Sequence, residues 1–142
     1  MREPDKPFHH STTLRVRYAD TDAMGVVYYA NYLAFFEVGR VELLRAFQAD
    51  YRAVEDSGAV AAVTRADCRY LSPARFDDLL VIHTRVASLG RATMRFEYEI
   101  RREADDRLLA RGFTEHACLD RSSMRPMRVP TMVRQAFEPL LG

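Results

Sequence analysis

Cysteine, lysine, a surplus of one charge and long apolar runs are all scarce in this sequence. The two cysteines, Cys68 and Cys118, stand far apart and match no CxxC or Cys/His ligand spacing. Neither a zinc site nor a disulfide framework is indicated, and no metal is expected. The reading that follows is a reducing compartment. No stretch approaches the ~18 consecutive apolar residues of a membrane span. Residues 1–11, with Pro4, Lys6, Pro7 and the pair His9 and His10, hold no apolar core for a signal peptide. A cytoplasmic protein without a membrane span is expected. Basic and acidic residues nearly cancel, 21 against 20, for a net charge of +1. The general positive field that non-specific nucleic-acid binding needs is therefore missing, and no nucleic-acid partner is expected. Lys6 is the sole lysine, a bias from which no function follows.

What is present suits one folded unit. A chain of 142 residues, 48% hydrophobic and 29% charged, has enough apolar surface for a core and a length that fits one domain. Residues 1–12 read as a flexible tail and 13–142 as a single domain. Leu14, Val16 and Tyr18 alternate with arginines, which predicts a first strand over 14–18. Residues 30–47 contain no proline and predict a helix ~27 Å long. Its apolar side chains cover most of the circumference, which predicts a helix largely enclosed by other structure. Gly39 in its middle costs ~1 kcal/mol relative to alanine, which points to close approach by another backbone. Downstream the period changes to two, with strands predicted over 62–71, 79–86, 93–101 and 108–119. Met94, Phe96, Tyr98 and Ile100 alternate with Arg95, Glu97 and Glu99, the clearest case. Short connections around Pro73, Gly90 and 104–106 imply an antiparallel meander. The class is α+β: one long helix against an antiparallel sheet of about five strands.

The chemistry sits between the first strand and the helix, in Tyr18-Ala19-Asp20-Thr21-Asp22-Ala23-Met24-Gly25-Val26-Val27-Tyr28-Tyr29-Ala30-Asn31-Tyr32-Leu33. Together with Phe36, Glu37, Arg40 and Glu42, this segment resembles the hotdog-fold acyl-CoA thioesterases of the 4-hydroxybenzoyl-CoA thioesterase and YbgC type. Weaker echoes follow in residues 70–79 and 125–130. The resemblance implies a helix against a strongly curved sheet, subunits paired into a homodimer or homotetramer, and active sites at the subunit interface.

It further implies that Asp22, second acid of the Asp-Thr-Asp triplet, is the catalytic carboxylate, either as nucleophile or as the base that activates water. Asp20 is then a residue that structures the loop. The backbone N–H of Tyr29 is the donor for the thioester oxygen. Physics supports that place independently, because the first N–H groups of a helix lack internal partners and carry partial positive charge. No serine, threonine or aspartate stands immediately before Ala30 to cap it, so a substrate carbonyl can take that role. Asn31 is the competing cap, and would start the helix later. Where many aliphatic acyl-CoA members carry a histidine, this chain has Tyr29, so a short aliphatic and an aromatic acyl group both remain open.

Four further residues are candidate substrate contacts. Glu37 stands where an acid can face the acyl group, with a substrate hydroxyl as partner, while its i,i+3 spacing to Arg40 more often means a surface ion pair. Arg91, Arg125 and Arg128 suit coenzyme A phosphates, since the planar guanidinium matches phosphate oxygens. His83 and His116 fit ordinary hydrogen-bonded histidines. The reading is thus hydrolysis of an acyl-CoA to free acid and CoA without a cofactor, CoA being part of the substrate. A thioesterase acting on acyl carrier protein is one rival. A non-hydrolytic acyl-CoA sensor is the other, and a sensor has no need of Asp22.

Overall fold

Period-two alternation along the second half of the chain produces long strands. In a computed structural model describing residues 7–49 and 51–141, these are β2 (Ala59–Tyr70), β3 (Leu79–Leu89), β4 (Thr93–Arg102) and β5 (Arg107–Asp120), preceded by β1 (His10–Arg15). Met94, Phe96, Tyr98 and Ile100 are buried on one face of β4, and on the other Arg95 pairs with Glu97 and Arg101 with Glu99. Three helices complete the α+β architecture: α1 (Asn31–Ala46), α2 (Tyr51–Asp56) and α3 (Thr131–Phe137). None among the described residues is long and apolar enough to cross a membrane.

The sheet is antiparallel throughout, in the order β1-β3-β4-β5-β2. Only β3, β4 and β5 form the expected meander. The chain leaves β2 at one edge and crosses the ends of β5 and β4 to reach β3, about 14 Å at three strand spacings, well within the reach of an extended 71–78 segment. Leu71 and Ser72 N–H groups both donate to Leu109 O during that crossing. Register shifts between Val63 and Arg65, Val86 and Ser88, and Ile100 and Arg101 bend the strands around α1.

Sequence and structure part in several places. The first strand lies earlier than 14–18: Val16 is buried, but Tyr18 is 78% exposed in a 3-10 turn, because Asp20 draws the chain back onto Arg17. β1 begins at His10, and the His9 N–H donates to Thr84 O, so residues 9–12 belong to the sheet instead of the tail. Residues 1–6 lie outside the described part. The long helix is not the sole one, since the short helices α2 and α3 accompany it. Nor is it enclosed all round: Tyr32, Phe35, Phe36, Leu43 and Leu44 face the sheet, while Leu33 is 40% exposed.

Phe36 stacks on Tyr98 with ring centroids 4.4 Å apart, which seats α1 over β4. Beside it, Gly39 meets side chains of β3, not a backbone. A Cβ there would stand 2.5 Å from Thr84 Oγ1 and 2.7 Å from Ile82 Cγ2. Both belong to fully buried β-branched residues with little rotamer freedom. Gly39→Ala gains ~1 kcal/mol of helix propensity against an overpacking cost of typically ~1–3 kcal/mol. A net loss of stability is expected, and a urea midpoint equal to or above wild type would show that β3 yields to the methyl group.

Candidate active site

The loop from Asp20 to Asn31 is organised around one buried acid. Asp20 is 6% exposed, and its carboxylate accepts from the Arg17 backbone N–H (2.8 Å) and guanidinium (2.9 Å). Burial pushes its pKa up, but the hydrogen bonds and charge of Arg17 outweigh that and hold it below the usual carboxylate range. The Asp20 carbonyl accepts from the Tyr28 N–H and the Asn31 side-chain amide, both at 2.9 Å. One residue thus ties both ends of the loop.

Between those ends the chain makes a tight reversal. Thr21 bridges Val27, and the Asp22 N–H donates to Val26 O. Gly25, at φ +79, occupies a left-handed position that suits glycine. The Asp22 carboxylate accepts the Met24 N–H at 2.8 Å through Oδ1, while Oδ2 has no partner among the described residues. Asp22 is half-buried, fixed by one oxygen and open at the other.

The outgoing arm runs through Val26 and Val27, pinned to Arg75 and Ala74, straight into α1. Asn31, Tyr32 and Leu33 donate to the carbonyls three residues back, so α1 starts with a 3-10-like turn. The Asn31 amide is committed to Asp20, and the N-cap is Ala30, without a side-chain cap. The N–H groups of Tyr29 and Ala30, which precede the first hydrogen-bonded turn, have no partner among the described residues. A helix entrance of partial positive charge follows the open carboxylate, with Tyr28, Tyr29, Tyr70 and Leu71 exposed around it.

The other candidates lie elsewhere on the chain. Glu37 is exposed two turns along α1 and lines a cavity of about 670 Å³ with Arg40, Val41, Met94 and His116. The expected Glu37–Arg40 ion pair is not made. Arg40 donates to the Tyr98 hydroxyl (3.3 Å), which is bonded to Thr114 Oγ1 (2.6 Å) and through it to His116 Nε2 (2.8 Å). Arg91 and Arg128 line a second cavity of about 510 Å³, tied by the Val129 N–H donating to Arg91 O. Arg125 does not join them; it stands exposed in the turn after β5, its carbonyl accepting the Asp120 N–H. Arg134 of α3 does, anchored on Gly90 O. The signal for it was Val133 and Phe137 at i,i+4 after Pro130, one turn of buried helix. Asp22 and Tyr29 line neither cavity.

This architecture has known counterparts. A family model of the thioesterase-like superfamily matches residues 16–137. An acyl-CoA thioesterase, YbgC of Haemophilus influenzae, is 37% identical over 131 residues, covering 92% of this chain and 95% of that protein. A 1,4-dihydroxy-2-naphthoyl-CoA hydrolase of Thermosynechococcus vestitus is 32% identical over 116 residues, covering 81% and 79%. The crystal structure of a hypothetical protein, TT1821, from Thermus thermophilus superposes with a TM-score of 0.85 at 35% identity, covering 92% of this chain and 98% of that one. The chain belongs to the thioesterase-like superfamily and is a hydrolase of the hotdog class. Within that class it is YbgC-like, related to the acyl-CoA thioesterases along most of its length.

The buried chain ending at His116 makes a stability prediction. Burial, reinforced by the nearby Arg40 charge, drives the His116 pKa down to about 4. Unfolded, the imidazole takes a proton near ~6.5. Between those values the unfolded chain binds more protons, so this contribution is full above pH ~6.5 and is lost as pH falls toward 4. Urea midpoints at pH 7 and pH 4.5 should reveal a loss of roughly 2–3 kcal/mol that His116→Gln reduces. Equal losses in both proteins would remove His116 as its source.

Proposed function

We propose that this protein hydrolyses the thioester of a small acyl- or aryl-CoA to a free acid and CoA, using Asp22 as nucleophile or general base. The Tyr29 N–H polarises the carbonyl. The observation that carries this reading is the juxtaposition along one loop of an Asp22 carboxylate oxygen and a Tyr29 N–H at the helix entrance, both without a partner among the described residues.

As the carbonyl carbon is attacked, its oxygen becomes anionic. A donor already fixed at that point, with the α1 dipole behind it, stabilises the developing charge without reorganisation. Two routes balance. In the first, Asp22 Oδ2 bonds to the carbonyl carbon, the carbon–sulfur bond breaks to release CoA thiolate, and water then cleaves the mixed anhydride. In the second, Asp22 takes a proton from water as the hydroxide adds, the carbon–sulfur bond breaks, and the proton passes to the departing sulfur. Both use only groups of this chain and water.

Supporting the substrate assignment, Arg91, Arg128 and Arg134 offer guanidinium groups around one cavity, a chemistry suited to the phosphates of CoA. Glu37 lines the larger cavity, which is suited in size to a small-molecule group. That Asp22 and Tyr29 line neither cavity favours a site completed by a second copy of the chain, in a homodimer or homotetramer. The open edge of β2, exposed over residues 63–67, is the surface on which the pairing is proposed.

Asp22→Asn keeps the size of the side chain and the Met24 contact but removes the basic oxygen. Steady-state kinetics on the best substrate of an acyl- and aryl-CoA panel should give a kcat lower by roughly 10²-fold or more, with KM little changed. Asp20→Asn should chiefly lower stability. A folded Asp22→Asn protein with near wild-type kcat would reject the mechanism.

A further inference from the structure

Tyr70, the last residue of β2, reaches the entrance of α1 from outside the loop. Its hydroxyl donates to the Tyr29 carbonyl at 2.9 Å. Its ring lies edge-on to Tyr32, 5.1 Å between centroids, and to Tyr29 at 6.4 Å. The same carbonyl also receives the Tyr32 N–H, but at 3.3 Å, beyond the usual range for a peptide hydrogen bond. The phenol is therefore the shorter of the two donors on that oxygen.

This contact falls where the chemistry depends on orientation. The Tyr29 carbonyl and the Ala30 N–H form one peptide unit, so pinning the oxygen fixes the plane that follows Tyr29. A hydrogen bond at this oxygen also polarises the unit and strengthens the Ala30 N–H, while the Tyr29 N–H belongs to the preceding unit and is restrained through the shared Tyr29 Cα. The other ties beside this unit are the backbone bonds of the first turn, from Asn31 to Tyr28, Tyr32 to Tyr29 and Leu33 to Ala30, while the Asp20 carbonyl holds Tyr28 and Asn31, and Ala74 holds Val27. Among the described residues, Tyr70 supplies the side-chain hydrogen bond to the Tyr29 backbone.

We propose that Tyr70 is a positioning residue for thioester hydrolysis: its hydroxyl, bonded to the Tyr29 carbonyl, keeps the first turn of α1 aimed at the thioester oxygen. The inference rests on the reading of Asp22 and Tyr29 given above. Tyr70 touches neither reacting group and acts through the backbone of Tyr29. Partial burial, with Cys68 alongside, pushes its phenol up to about 12, so it stays a donor across the range in which the enzyme works.

Two variants separate positioning from packing. Tyr70→Phe keeps the ring against Tyr32 and Tyr29 and removes only the hydroxyl. The expected result is a kcat lower by about tenfold, smaller than the ~10²–10³ typical for deleting an oxyanion donor itself. KM should stay within about twofold. In the second variant, 3,5-difluorotyrosine at position 70 retains ring and hydroxyl but makes the phenol far more acidic. As that phenol ionises it can no longer donate, so the kcat profile should acquire a falling limb toward alkaline pH that wild type lacks. A packing role moves neither readout. A Phe variant with kcat within twofold of wild type overturns the inference, as does a difluorotyrosyl protein without the new limb. Should Tyr70→Phe fail to fold, the difluorotyrosyl profile decides alone. A wild-type protein that hydrolyses no member of the CoA panel refutes the underlying function and the inference with it. Hydrolysis that Asp22→Asn abolishes and Tyr70→Phe leaves intact refutes the inference alone.

Discussion

The pairing of Arg17 with the buried Asp20 is the constraint on which the rest of the loop depends. A carboxylate taken out of water is costly unless its charge is met, and here the backbone and guanidinium of Arg17 meet it. With the side chain so committed, the Asp20 carbonyl remains free to receive Tyr28 and Asn31 from the other end of the loop. The second of these bonds has the larger consequence. An asparagine at the cap position accepts the helix's own N–H groups through its side-chain oxygen; Asn31 lies one residue past the cap, and its side-chain NH2 donates to Asp20. The cap position falls to Ala30, whose side chain has no acceptor, so the entrance of α1 stays uncapped.

The position of that entrance is fixed from the far side by packing. Phe36 on Tyr98 and Gly39 on Ile82 and Thr84 set α1 at one height above the sheet. Buried Tyr32, whose hydroxyl accepts the Ala74 N–H, joins the first turn of the helix to the crossing segment. Ala74 in turn accepts from Val27. Helix, loop and crossing segment therefore brace one another through short, mostly backbone bonds. On the function proposed above, an aspartate and a peptide N–H held in this way would lose little further freedom on meeting a substrate, which is the condition for electrostatic preorganisation.

How much of this was legible in the sequence follows from where the information lies. Alternation along 93–101 and the long unbroken run 30–47 are local patterns, and the structure realises both within a residue or two. Asp22 and Tyr29 stood out through a long motif, not through any property of either residue alone. The place of β2 beyond β5 was not legible, because edge pairing is decided by contacts far apart in sequence. Alternation that continues through Arg17 predicts a strand as far as Tyr18, and only the capture of Arg17 by Asp20 breaks it. α3 is a single pair of buried positions, too short for periodicity to register, and Arg134 was hidden with it.

The last consequence concerns what one chain lacks. Asp22 and the entrance of α1 lie at the crossing end of the sheet, whereas Arg91, Arg128 and Arg134 gather where β3 turns into β4 and α3 packs on that turn. Antiparallel strands place these at opposite ends: β3 begins beside the loop, with Asp77 bonded to Val16, and finishes at Leu89 next to Arg91. Eleven residues of strand separate them, roughly 35 Å at ~3.3 Å per residue. Coenzyme A would have to stretch the length of the sheet to touch both on one subunit. Pairing two antiparallel copies at the β2 edge brings the loop end of one beside the arginine end of the other. If both proposed groups serve one substrate, strand length itself calls for the proposed pairing, since a shorter sheet would let one chain place both against it.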